Sequence, residues 1–78
     1  MTDEESEIMS RHFAYLSGLL EKGKLVIAGP ELSGKFGMGI YETETPEEAK
    51  ELLMNDPAVK SGIVTPEIYP FSISLLRQ

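Results

Sequence analysis

The chain has 78 residues, 41% of them hydrophobic and 26% charged, enough for one small folded domain and too few for two cores. A net charge of −6 with no cluster of Lys or Arg repels a nucleic-acid backbone, which excludes nucleic acid as an expected partner. No apolar run approaches the roughly 20 residues of a membrane span. The acidic start, MTDEESEIM, lacks the basic and apolar regions of a signal peptide, and there is no cysteine, so a cytoplasmic protein is expected.

Taken in order, the first element is a helix from Thr2 to Glu21. Thr2 and Glu5 have capping-box spacing, and acidic residues fill the first turn, where the helix dipole favours them. Met9, Phe13, Leu16 and Leu20 recur at helical spacing and predict the buried stripe. Ile8, His12, Tyr15 and Leu19 run along its flank, and Gly23 is placed to end the helix.

The stretch KLVIAGPELSGKFGMGIY, Lys24 to Tyr41, predicts a hairpin. Leu25 to Ala28 is a short apolar strand. Gly29, Pro30, Ser33 and Gly34 break it, and Phe36, Met38 and Ile40 then alternate with Gly37, Gly39 and Tyr41. Its loop reproduces the GxxxxGK spacing of a phosphate-binding loop. Phe36, however, stands where a Ser or Thr must reach Mg²⁺, and a strand follows where a helix N-terminus is required. The loop is therefore expected to be a turn and nothing more.

A second helix is expected over 43–55, with Thr45 as its cap, Pro46 in its first position and Ala49, Leu52 and Leu53 as its apolar stripe. Asn55-Asp56-Pro57 stops it, because a residue before proline is steered away from helical geometry. Residues 58–62 have room for one further turn. Beyond them, Tyr69, Phe71, Ile73 and Leu75 alternate with Pro70, Ser72 and Ser74, predicting a strand from about Tyr69 after an irregular approach through Pro66. The order αββαβ points to an α+β fold with both helices on one face of an antiparallel sheet. Its nearest common plan is the ferredoxin-like βαββαβ arrangement without the first strand.

Met9-Ser10-Arg11-His12-Phe13-Ala14-Tyr15-Leu16, then Gly23 to Pro30, then Glu47-Glu48-Ala49 and Asn55 to Gly62, occur in an order that resembles the YciI family, also called YCII-related proteins. The resemblance covers nearly the whole chain from about Glu7. It implies a ferredoxin-like fold whose sheets pair as a dimeric α/β barrel, and hence a homodimer or higher homo-oligomer. Family members begin with a strand that lies mid-sheet, which this sequence lacks. Either the chain is started late, or another strand or a second subunit exchanging one fills that gap.

The resemblance also implies a site. His12 is the only histidine, the side chain best suited to proton exchange near neutral pH. The family carries a His on the first helix and an Asp before the Pro as a proposed catalytic pair, which here are His12 and Asp56. A carboxylate on one ring nitrogen fixes the tautomer and leaves the other nitrogen free to move a proton. Gly29 and Pro30 mark the strand end beside the family's ligand pocket. The plainer alternatives are a helix histidine satisfied at the core edge and an aspartate serving as a turn or cap. With one His, no Cys and scattered acids, no metal and no cofactor is expected. Ser10, Ser33, Ser61 and Ser72 show no nucleophile-elbow context. Two functions follow: a small-molecule enzyme using His12 and Asp56 for isomerisation, elimination or hydrolysis, or a non-catalytic dimeric or ligand-binding module of the same fold.

Overall fold

A computed structural model describes residues 2–77. Its elements are α1 (Asp3–Glu21), β1 (Leu25–Pro30), β2 (Gly37–Tyr41), α2 (Pro46–Met54) and α3 (Pro57–Lys60). The fold is α+β, built on one two-stranded antiparallel sheet. Among the described residues no helix is long and apolar enough to cross a membrane.

Local chemistry sets the ends of each element. The Thr2 hydroxyl accepts from the Glu5 N–H at 3.1 Å while the Glu5 carboxylate accepts from the Thr2 N–H at 3.0 Å, the reciprocal capping box the spacing predicts. At the other end Lys22 is the C-cap and Gly23, at φ 77°, takes the left-handed position just after it. The Lys24 N–H donates to Leu19 O at 2.9 Å and the Gly23 N–H to Leu20 O at 3.1 Å, which satisfies carbonyls the helix would leave orphaned. Thr45 caps α2 through the Glu48 N–H at 3.1 Å, with Pro46 in the first turn.

The hairpin forms where expected. Leu25 pairs with Tyr41, Ile27 with Ile40, Ala28 with Gly39, Gly29 with Met38 and Pro30 with Gly37. A bulge between Leu25 and Ile27 shifts the alternation, so Leu25 and Ala28 share one face despite lying three apart. A Cβ on Gly39 would meet Leu25 Cδ1, Ala28 Cβ and, at 3.3 Å, Tyr41 Cε1, so these side chains crowd the same face. In the loop, the Gly34 N–H donates to Glu31 O, and the Ser33 N–H and hydroxyl both turn to the Glu31 carboxylate. A carboxylate of the chain thus occupies the donors that a phosphate would need.

Three expectations are corrected. The packed stripe of α1 is the one carrying Leu19, which is buried, while Phe13 and Leu20 are exposed. Both stripes satisfy the helical period, and the partners decide between them: β1 and α3 lie against the Ile8, His12, Tyr15 and Leu19 side. Residues 69–76, expected as a strand, form none, so the observed order is αββαα. In the ferredoxin-like plan the last strand pairs with the first, and no such strand is present among the described residues for it to pair with. The placement of both helices against one sheet face is likewise not what is seen. α1 packs on β1, whereas α2 is tethered by the Tyr15 hydroxyl donating to Leu52 O at 2.6 Å and by the Lys24–Glu48 ion pair at 2.9 Å. The interior is small: Leu19, Leu25, Ala58 and the side chain of Asp56.

Candidate functional site

The site lies where α1 meets α3. Asn55 caps the end of α2, and the chain turns through Asp56 into Pro57 at the first position of α3. Asp56 is extended, at φ −63° and ψ 130°, as a residue before proline prefers. Its Oδ1 accepts the Ala58 N–H at 2.9 Å and so caps α3. α3 ends on Ser61, with Gly62 at φ 83° after it.

That cap holds the carboxylate against α1. His12 Nδ1 lies 2.7 Å from Oδ1 and 2.7 Å from Oδ2 of Asp56, a contact between residues 44 apart in sequence. A carboxylate can only accept, so Nδ1 carries the hydrogen and the neutral ring keeps its lone pair on Nε2. The Asp56 side chain is 3% exposed and the His12 side chain 21% exposed, so one partner is sealed in and the other reaches solvent. Asp56 thus makes two contacts at once: it caps α3 and its carboxylate meets the ring of His12.

Two tyrosines complete the surroundings. Burial first, then the negative charge of Asp56 and of Glu51, pushes the Tyr15 phenol above its ordinary range. Burial, then Asp56 and Tyr15, pushes Tyr41 up to about 12. Both phenols therefore stay protonated beside the pair. Sequence reasoning gave neither a place in the site. Tyr15 was within reach of it, three residues from His12 and so on the same helix face; Tyr41 has no local signal, since its position depends on the hairpin folding back.

An open cleft of about 370 Å³ is lined by Ile8, Arg11, Asn55, Pro57, Lys60 and Ser61, and neither His12 nor Asp56 is part of its lining. Its lining includes the neighbour of His12 and both neighbours of Asp56. It is of the size of small-molecule sites. Arg11 leans on Glu7 across one helical turn at 2.5 Å, an exposed pair of little energetic weight. A second cleft, about 240 Å³, lies between Lys22–Lys24 and Glu42–Glu44. Gly29 and Pro30 line neither cleft. They sit exposed at the hairpin end of β1, paired with Met38 and Gly37. The structure thus joins His12 to Asp56 and leaves Gly29 and Pro30 at the far end of the strand from Leu25, which packs in the core.

Proton exchange through Nε2, with Nδ1 anchored, is what this arrangement can do chemically. No curated protein and no solved structure matches the chain. A family model does: that of the YCII-related domain matches residues 1–72, nearly the full length. With its His and its Asp-Pro joined as described, the chain belongs to the YCII-related domain family.

Proposed function

We propose that the protein is a small-molecule enzyme of the proton-transfer type, acting as an isomerase, lyase or hydrolase, and working as a homodimer on the ferredoxin-like plan. The observation that carries this reading is the 2.7 Å contact of His12 with a buried Asp56 while the ring remains partly open to solvent. In this role His12 Nε2 takes a proton from the substrate and returns it, and Asp56 holds the tautomer and stabilises the imidazolium that forms. Substrate meets the exposed edge of the His12 ring and extends into the neighbouring cleft between α1 and α3, and Gly29 and Pro30 offer backbone groups once the assembly brings a pocket to them. Arg11 and Lys60 on the cleft wall suit a carboxylate-bearing substrate.

The other reading, a non-catalytic module, has its own support: Asp56 already has a structural task at the start of α3. A hydrogen-exchange screen separates the two. The protein is incubated in D₂O with small 2-oxo acids and unsaturated carboxylic acids, and loss of the proton next to the carbonyl is followed by NMR. The enzyme reading expects exchange with at least one compound, lost in His12→Asn, which keeps an N–H toward Asp56 and removes the base. Exchange equal in wild type and variant would favour the module, as would absence of exchange together with no His12-dependent hydrolysis of small esters.

A further inference from the structure

Residues 65–77 make no backbone hydrogen bond among the described residues. The last such bond is the Val64 N–H to Ala58 O at 3.1 Å. Within this tail Tyr69, Phe71, Ile73 and Leu75 alternate with smaller or polar residues, and all four are exposed. Among the described residues the two strands pair only with each other, so β2, like β1, is bonded on one side only. Sheet edges that face water are normally blocked with Lys, Pro or a charge pointing inward. β2, Gly-Met-Gly-Ile-Tyr, has no charged residue and no proline. The tail has no charge between Glu67 and Arg77. An unguarded edge of five residues and a longer, unpaired strand-patterned segment therefore occur in one small chain.

We infer that residues 69–75 of one copy add as a strand to the free edge of β2 in a second copy, and that the exchange is reciprocal, closing a two-fold dimer. This rests on the homodimer of the reading above and names the segment that makes it. Pro70, near the start of the tail, is tolerated because the added strand becomes the new edge of the sheet. A second copy is the favoured occupant for two reasons. The radius of gyration is 13.1 Å, against about 11.5 Å for a compact chain of this length, and residues 67–77 are all exposed, so the tail is not packed into its own body. Pro66 stiffens the short connection after α3, and short stiff hinges favour exchange over closing back. The added strand would also bring Phe71 or Ile73 over the far face of the sheet, where Ile27 and Met38 are exposed.

The chain has no cysteine, so introduced thiols report without background. Chains carrying Met38→Cys are mixed and refolded with chains carrying Phe71→Cys, Ile73→Cys or Leu75→Cys, then oxidised and run on a non-reducing gel. At least one mixture is expected to give a disulfide-linked heterodimer. Ile73→Pro, which removes a ladder donor, is expected to raise the dimer dissociation constant at least about 100-fold by light scattering on dilution, with helix content unchanged. A wild-type chain that scatters as a monomer overturns both the homodimer and the exchange. A dimer indifferent to Ile73→Pro, with no mixed cross-link, overturns the exchange alone. So does a Met38→Cys/Ile73→Cys chain that closes only on itself.

Discussion

Truncating His12 tests the site's physics most directly. With Asp56 3% exposed, removing the ring leaves a buried carboxylate whose remaining partner is the Ala58 N–H. Losing a hydrogen bond to a buried charged group costs about 1.5–3 kcal/mol. The better helix propensity of Ala returns about 0.6 kcal/mol. The net loss is therefore about 1–2.5 kcal/mol, a fall in Tm of roughly 5–15 °C for a domain of this size. The assay is urea unfolding followed by circular dichroism at one fixed protein concentration, with the slope checked for constancy. Asp56→Asn completes the comparison, because Asn caps a helix as well as Asp and so isolates the histidine contact. The two changes together should be less damaging than their sum by at least about 1 kcal/mol. A His12→Ala protein within about 0.5 kcal/mol of wild type, or additive effects in the double variant, would refute the buried pair.

Alkaline pH gives a second check. The Tyr41 phenol ordinarily ionises near 10 and is pushed up to about 12 in the fold, so its contribution is intact below pH 10 and is lost as pH climbs from 10 to about 12. Tyr41→Phe should flatten the decline in Tm across that window, and an unchanged decline would show that the phenol is not held there. Tyr15→Phe removes the 2.6 Å bond to Leu52 O; the expected cost is about 1 kcal/mol, with faster amide exchange in α2, and an unaltered α2 would mean that the tether is not formed.

What could be foreseen from the sequence was whatever is settled within a few residues. The capping box of Thr2 and Glu5, the Thr45-Pro46 start of α2, the hairpin and the Gly23 stop all depend on neighbours in the chain, and all are found. Choices made by distant partners were not legible. α1 carries two adjacent apolar stripes, and only the position of β1 and α3 selects the one with Leu19 over the one with Phe13 and Leu20. The alternation of residues 69–75 was visible, but a strand needs a pairing edge as well as a pattern. For the site, Asp56 before Pro57 carries a local cap signal. The contact with His12, 44 residues away, came from the family resemblance and not from spacing.

Asp56 has a consequence for how a ligand would be received. Its carboxylate is gripped by the start of α3 before any ligand arrives, and the grip passes to the ring of His12 through Nδ1. The orientation of the ring is thus settled during folding, when α3 forms, before any binding. Ligand capture should carry little ordering entropy from these two side chains. Loosening the single turn of Pro57–Lys60 would restore it, turning a preorganised ring into one that each ligand must organise anew.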